Sequence, residues 1–460
     1  MFGGVSLAAD MVYEGARSMY GPLLAALGAS ALVVGLVTGA GEAMALVLRF
    51  VFGPLADRTG RYWALTILGY GMTAVCVPLL AVTPFLGGAG LAVGIVLILL
   101  ERSGKAVRSP SKSALLAHVA VEVGRGRGFG VHKAMDQVGA FAGPLVVAAV
   151  LAVSGAIWPA FLVLAVPGAA AMVLLAVLRA RVPDPSVYDG SARPAPDAER
   201  ASSDGATPDR TSSDGATADP ATAELTTAES ATTAPATDPD PPHPGRTPSR
   251  PTVRPPRGLR AWLAESVGAG LPPEFFRYAA AASLTTGGLV TFGVISFHLT
   301  TEGLVPVATV PLVYAGAMAV EALAALVVGS AYDRVGSRVL FVVQVLVALV
   351  PALALSSALA AVLVGVVVWG FAFGVQDSTV KALVAELVDA PRRATAYGVF
   401  AGIQGALAVV GGGVVGWLYE VSLPALVVVV ALSQAVALVL LVTTLRRSEA
   451  RAGTGARTRH

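Results

Sequence analysis

The sequence predicts an all-α integral membrane protein with twelve transmembrane helices, arranged as two six-helix bundles related by pseudo-symmetry. Three observations predict it: an apolar composition, twelve apolar segments of spanning length, and a resemblance between the two halves of the chain. Of the 460 residues, 55% are hydrophobic and 13% are charged, and the mean hydropathy is +0.72. A soluble chain of this length cannot bury so much apolar surface, so the expected solvent is a lipid bilayer.

A helix that crosses a bilayer needs about 20 mainly apolar residues. Six such segments occupy the first half of the chain, at 4–27, 29–52, 63–83, 91–118, 128–152 and 156–178. Six more follow at 275–298, 308–330, 338–359, 361–388, 396–419 and 423–445. We number these predicted helices 1 to 12. The N-terminal bundle is then residues 1–182, the C-terminal bundle is residues 259–448, and residues 449–460 form a tail.

The segment between the bundles, residues 183–258, has a different composition. It is rich in Pro, Ala, Ser, Thr and Asp, and it contains the near-repeat "SSDGATPDRT" followed by "SSDGATADPA". Such a composition cannot bury enough apolar surface to offset the entropy lost on ordering. We therefore expect a disordered tether, with a regulatory role as the alternative.

The loop charges predict the orientation. Five loops or ends on one side carry basic pairs: Arg58 and Arg61, Arg125 and Arg127, Arg334 and Arg338, Arg392 and Arg393, and Arg446 and Arg447. The opposite loops contain no Lys or Arg. The positive-inside rule then places both termini and the tether in the cytoplasm.

The two halves resemble each other in sequence. "GPLADRTGRYW" at 53–63 recurs as "GSAYDRVGSRVL" at 329–340, each after the second helix of its half. Parallel repeats of six helices are a known transporter architecture, with the binding site near the midplane between the halves.

The repeat also decides where helix 4 ends. The stretch "LLERSGKAVRSPSKSALLAH" at 99–118 contains Arg102, Lys105, Arg108 and Lys112. Its counterpart at 369–388 remains mostly apolar to its end, so we expect helix 4 to continue to about Val119. At about 100° per residue the four cations then share one face of the helix, inside the membrane. Cations there normally face a bundle interior, paired or in cavity water.

Candidate partners for this basic stripe lie on other helices. They are Asp10, Glu14 and Arg17 on helix 1, Glu42 on helix 2, His132 and Asp136 on helix 5, Glu321 on helix 8 and Asp377 on helix 10. One interpretation is a structural salt-bridge network. The other is a charged path, in which Arg102, Lys105 and Arg108 attract an anionic or zwitterionic group while Asp10, Glu14 or Asp136 exchange protons.

Two motifs give the chain a resemblance to the major facilitator superfamily. Gly53, Asp57, Arg58, Gly60 and Arg61 match the family's G-x-x-x-D-R-x-G-R loop after helix 2, and Asp333 with Arg334 repeats its centre. Gly139, Gly143 and Pro144 match the helix 5 motif G-x-x-x-G-P, which in this superfamily accompanies antiporters. The resemblance implies helices 1, 4, 7 and 10 around a central cavity, and export in exchange for protons.

The motifs also have a physical interpretation. Asp57 is placed to cap a helix N-terminus of the other half, and Arg58 and Arg61 can bond helix C-terminal carbonyls, so the loop can hold one conformation of two rocking bundles. The glycines at 139 and 143 allow close helix packing, and Pro144 predicts a local break. A positive-inside turn and generic small-residue packing are the alternatives.

A narrower resemblance concerns helix 4. "RSGKAVRSPSKSALLA" is similar to a bacterial subgroup of efflux facilitators that typically reads R-x-G-K-x-x-R-x-x-P-R-D-A-L. Lys112 and Ser113 replace the R-D pair, and His118 stands where an acid is usual. The resemblance implies a bacterial cytoplasmic membrane protein.

We therefore predict a secondary transporter, not an enzyme, that exports a small organic solute by proton antiport. The alternatives are a proton symporter that imports an anionic metabolite, and a membrane sensor that transports nothing. The histidines and the single Cys76 show no metal-ligand spacing, and no Gly-rich stretch is a P-loop. We expect no cofactor, no metal, no nucleic-acid partner, and a monomer.

Overall fold

A computed structural model describes residues 1–119, 125–183, 270–388 and 392–457. The predicted tether, residues 183–258, lies outside this part of the chain apart from its first residue. The side chains of Asp333 and Asp377 also lie outside the described part, so the predictions made for them stay predictions.

The described residues form twelve helical segments and no strand. In the N-terminal half they are α1 (Phe2–Arg17 and Tyr20–Ala26), α2 (Ala31–Thr59), α3 (Tyr62–Leu79, extended by the 3-10 turn Leu80–Phe85), α4 (Gly90–Val119), α5 (Arg125–Ser154) and α6 (Ile157–Leu162 and Ala165–Arg181). In the C-terminal half they are α7 (Pro273–Gly288 and Phe292–Thr301), α8 (Val310–Val335), α9 (Leu340–Ala354), α10 (Leu359–Leu387), α11 (Arg393–Val421) and α12 (Leu423–Arg457). α4 is helical through Val119, so the predicted continuation of helix 4 past Leu100 is confirmed, and where it ends stays a prediction.

Five segments differ from the prediction, and one of them is α6, which is interrupted at Val163 and Leu164. α1 is interrupted at Ser18 and Met19. Pro22 has no backbone N–H to bond the Ser18 carbonyl, and its ring would clash with that carbonyl in a continuous helix. α7 is interrupted after Gly287 and Gly288, where Leu289 is extended. α9 is shorter than predicted, and α12 continues to Arg457.

Nine helices are long and apolar enough to cross a membrane, among the residues described. α1, α4 and α9 are not among them. α1 carries Asp10, Glu14 and Arg17, and α4 carries charges from Glu101 onward, whereas α9 is an apolar helix of 15 residues. The two charged helices therefore need protein or cavity water around their polar faces.

The same pairs of helices pack together in both halves. α1 packs against α5 and α6 as α7 packs against α11 and α12, and α4 packs against α2 and α3 as α10 packs against α8 and α9. The turns after α2 and α8 each contain a glycine with positive φ, Gly60 at 63° and Gly336 at 69°. Glycine adopts this conformation at no steric cost, so the repeated motif places a left-handed glycine at the matching position in both halves.

The two halves meet along α2 and α11, where glycines on both helices bring the backbones together. Gly412 lies against the carbonyl of Gly35 and the Cα of Gly39, and Gly416 lies against Ala31. Such close helix contacts leave no room for side chains.

Gly412→Ala is therefore expected to lower the thermal unfolding temperature of the purified protein by several degrees, because a methyl group there meets the Gly35 carbonyl. Gly402→Ala, on the same helix but facing open space, is the matched control and should leave the unfolding temperature unchanged or raise it. Equal effects of the two substitutions would contradict this packing.

Candidate functional site

Further contacts between the halves lie at one end of the molecule, which we call the far end; the opposite end, with Met1 and Gly60, is the terminus end. At the far end Thr38 Oγ1 lies 2.8 Å from Thr291 Oγ1. The Glu420 carboxylate accepts a hydrogen bond from the N–H of Leu32, at the first turn of α2 (3.1 Å). Gly21 packs directly against Gly293.

A cavity lies on the terminus side of these contacts and has two adjoining parts. The charged lobe has a volume of about 310 Å³ and the aromatic lobe about 320 Å³. The residues of α1 that line either lobe all precede Ser18, and the lining residues of α2 all follow Thr38. Arg17, Glu42, Leu46, Arg49 and Phe373 line both lobes, so the two parts are continuous.

The charged lobe contains most of the predicted site residues. Its lining includes Asp10, Glu14, Arg17, Glu42, Lys105, Arg108, Lys112, Asp136 and Glu321. Arg102 and His132 lie just outside this lining, in contact with it. Helical spacing places the cations of α4 on one face, as predicted, and that face meets α1.

Arg102 of α4 is buried against α1 and α2. Its guanidinium donates a hydrogen bond to the hydroxyl of Tyr13, lies 4.8 Å from the centre of that ring, and approaches Glu42 to 3.6 Å. Glu42 is in turn bound by Arg17 at 2.7 Å. The guanidinium groups of α1 and α4 therefore share one carboxylate of α2.

Arg108 and Lys112 link α4 to three other helices. Arg108 donates to Thr73 Oγ1 on α3 (2.6 Å) and lies 3.8 Å from the Asp10 carboxylate on α1. Lys112 Nζ lies 3.8 Å from Asp136 on α5, and His132 approaches the other oxygen of the same carboxylate to 3.8 Å. These wide ion pairs in a cavity can exchange one partner for a proton or a ligand.

Lys105 differs from its neighbours on α4. Its ammonium lies 3.5 Å from the centre of the Tyr13 ring, and within the described residues no carboxylate lies within 4.0 Å of it. A lysine held on an aromatic face keeps its charge available to an anion in the cavity.

Glu14 joins the two halves. Its carboxylate accepts a hydrogen bond from the hydroxyl of Tyr314 on α8 and lies 3.8 Å from Arg17. A charged residue of the N-terminal half is thus bonded directly to the C-terminal half, across the cavity wall.

Sequence reasoning missed Glu101, which is fully buried. It accepts hydrogen bonds from Tyr20 (3.2 Å) and Thr73 (3.4 Å) and lies 3.9 Å from Arg102. The sequence did carry a signal for it, because Glu101 stands directly before Arg102, the first cation of the basic stripe. Arg49 and Lys133, which line the charged lobe, were missed as well.

Glu101→Ala is expected to destabilise the protein by about 3–5 kcal/mol, because it removes one partner from a buried ion pair and leaves the Tyr20 hydroxyl without an acceptor. The measurement is thermal unfolding of the purified protein, with the exposed Glu302→Ala as the control that should match the wild type. An unfolding temperature unchanged by Glu101→Ala would show that Arg102 does not depend on this carboxylate.

The aromatic lobe belongs mainly to the C-terminal half. Its polar residues are uncharged apart from those shared with the charged lobe, and they include Thr286, Gln376 and Gln404. Its apolar walls include Trp369 and Phe373 on α10 and Tyr397 and Phe400 on α11. No sequence pattern predicted this lobe.

The loop motif lies away from the cavity, at the terminus end. Asp57, Arg58 and Arg61 are exposed, and Asp57 accepts a hydrogen bond from Tyr62 in its own half (3.2 Å). Gly53 lies one turn earlier on α2, and Arg334 is exposed at the end of α8. The capping contact with the other half stays a prediction.

The helix 5 motif makes close packing possible between α5 and α1. Gly139 lies against Leu7, and Gly143 lies against Met11 and Gly15. The predicted break at Pro144 is wrong, because α5 continues from Arg125 to Ser154. A membrane helix tolerates a buried proline when neighbouring helices and side chains satisfy the backbone groups that the proline leaves free.

The sequence of this chain is similar to that of known proteins. The sequence profile of the Major Facilitator Superfamily matches residues 5–301 and 275–460. An uncharacterized protein of Mycobacterium tuberculosis is 44% identical over 442 residues, covering 96% of this chain and 91% of that protein.

Two solved structures show the same fold at low identity. A variant of the nucleoside transporter NupG has a TM-score of 0.63 at 13% identity, covering 96% of this chain and 98% of that one. A POT family transporter in complex with a thioalcohol-conjugated peptide has a TM-score of 0.62 at 12% identity, covering 97% and 95%. The chain belongs to the Major Facilitator Superfamily and is a multi-pass secondary transporter of the membrane.

Proposed function

We propose that this protein exports a small organic solute from a bacterial cytoplasm in exchange for protons, by alternating access. The observation that carries the proposal is the charged cavity on the terminus side of the contacts between the halves. If the termini are cytoplasmic, as the loop arginines predict, this cavity faces the cytoplasm and can load a solute for export.

Proton coupling is supported by carboxylates that share partners within the cavity. Asp136 lies near Lys112 and His132, and Asp10 lies near Arg108. An arriving proton and a donor group of the solute compete for the same carboxylate oxygens of Asp136 or Asp10. Proton binding and solute binding then oppose each other at one site, as antiport requires.

A symporter that imports an anionic metabolite is the second candidate. The observation that favours it is Lys105, an ammonium on the cavity face held by an aromatic ring. An anion could bind there in either direction of transport, so direction needs its own experiment.

Direction can be tested in everted and right-side-out membrane vesicles that carry the protein. Everted vesicles are energised, a panel of organic acids and common drugs is added, and proton release is followed with a pH-sensitive dye. Antiport predicts solute-induced proton release and solute accumulation in everted vesicles only. Accumulation in right-side-out vesicles instead would favour the importer.

The sensor alternative is tested by deleting residues 190–250, which lie within the predicted tether. A transporter joined by a passive tether keeps its flux after this deletion. Lost signalling without measurable flux of any solute, in the intact or the shortened chain, would favour the sensor.

A further inference from the structure

The aromatic lobe contains a hydrogen-bonded trio of side chains from three helices. Thr286 Oγ1 on α7 accepts two hydrogen bonds, one from Nε2 of Gln376 on α10 (2.5 Å) and one from Nε2 of Gln404 on α11 (2.8 Å). The same hydroxyl donates to the carbonyl of Ala282 (3.1 Å). A hydroxyl has one donor and two acceptor sites, so Thr286 is fully occupied and fixes both amides.

Each fixed amide has bonding capacity that the protein does not use. A glutamine amide carries two N–H donors and one carbonyl oxygen, and Thr286 takes one donor from each. The carbonyl oxygen of Gln376 is buried and has no partner among the described residues. Buried polar atoms normally have a partner, so an unpaired one in a cavity wall indicates a ligand position.

Aromatic rings line the same lobe as these amides. Trp369 and Phe373 stack with their centres 5.3 Å apart and their planes 12° apart, and Tyr397 and Phe400 line the lobe from α11. The Trp369 N–H is already bonded to the Val290 carbonyl (2.7 Å). The walls therefore supply apolar faces, and the amides supply the directional contacts.

The arrangement of donors and acceptors limits the ligand. Gln376 and Gln404 together present free N–H donors and a free carbonyl oxygen, so they pair best with a planar group that carries both an acceptor and a donor. Amides and nitrogen heterocycles carry both, and aromatic walls favour a flat ring attached to such a group. Phe373 lines both this lobe and the adjoining charged one, where Lys105 can bind an anion.

We propose that the solute is an organic acid with a planar aromatic or heteroaromatic ring and an amide-like edge. The ring lies in the aromatic lobe, its edge bonds Gln376 and Gln404, and its acidic group lies at Lys105. This inference rests on the proposed function, because it takes the cavity as the transport site.

Binding can be measured by calorimetry on the full chain in lipid nanodiscs, without any gradient. The first probe is N-benzoylglycine, which has a ring, an amide and a carboxylate. The comparison probes each lack one group: phenylbutanoate of the same length lacks the amide, N-acetylglycine lacks the ring, and the methyl ester lacks the charge. We expect N-benzoylglycine to bind about tenfold tighter than each of them.

Two variants assign the contacts. Gln404→Met should abolish the preference over phenylbutanoate and keep the preference over the ester, whereas Lys105→Gln should do the reverse. Gln434 lies on α12 outside the lobe and donates a hydrogen bond to the Leu284 carbonyl on α7. Gln434→Met should therefore leave all affinities unchanged. Equal affinities for all four probes, no binding of N-benzoylglycine, or variants that do not alter the preferences would overturn the inference.

The calorimetry also separates this inference from the proposed function. If the probes bind in the expected order but no vesicle preparation transports them, the export proposal fails and the binding site stands. If vesicles export solutes of another class and the probes do not bind, the export proposal stands and the binding site is wrong.

Discussion

Membrane vesicles carrying Arg108→Ala are expected to show no solute flux above vesicles without the protein, although the variant reaches the membrane. Arg108 is buried, donates to Thr73 at 2.6 Å and lies 3.8 Å from Asp10 at the cavity wall. Removing it leaves Asp10 without its nearest guanidinium and removes a cation from the proposed path. The measurement is transport of the panel solutes at matched protein abundance.

A neutral double variant distinguishes a structural ion pair from a functional one. Asp10→Asn combined with Arg108→Gln keeps two polar side chains of similar size and leaves no unpaired charge. If the pair only holds α1 against α4, the double variant should regain transport that the single variant lost. We expect it to remain inactive with a normal unfolding temperature, and normal flux in Arg108→Ala would remove Arg108 from the mechanism.

Asp136→Asn is expected to abolish accumulation driven by a proton gradient while leaving solute exchange across the membrane intact. Asparagine keeps the shape of the side chain next to Lys112 and His132 but cannot exchange a proton. The measurement compares gradient-driven uptake with counterflow at equal pH on both sides. Counterflow isolates the conformational cycle because it needs no gradient.

The control for this variant is Glu302→Gln, which neutralises an exposed acid outside the cavity and should change neither activity. If Asp136→Asn retained gradient-driven accumulation, proton coupling would not depend on this carboxylate. Loss of both activities would instead assign Asp136 to the structure or to solute binding.

Much of the fold could be predicted, because spanning helices need a length and an apolar composition that are visible in the sequence. The extent of α4 was predictable only by comparison with α10, since its charges hide its membrane character. Pro22 was a visible signal for the interruption of α1. Pro144 gave the opposite result, because a proline predicts a break only where neighbouring helices do not support the backbone.

The charged lobe was predictable in its members but not in its pairing. Intramembrane charges are rare enough to be noticed one by one, yet the sequence does not show that Glu42 is shared by Arg17 and Arg102. The aromatic lobe was not predictable at all. Gln376 and Gln404 are uncharged residues in apolar helices, and only the tertiary fold brings them to Thr286.

Alternating access requires the two ends of the protein to open in turn, and distances between spin labels measure this opening. Cys76 can be replaced by alanine to give a cysteine-free chain, since it is the only cysteine. One label pair is placed at the exposed positions 26 and 302 at the far end, and another at the exposed positions 59 and 338 at the terminus end. We expect that, between acidic and alkaline pH in nanodiscs, one distance lengthens as the other shortens. Two distances that stay fixed, or that lengthen together, would contradict it.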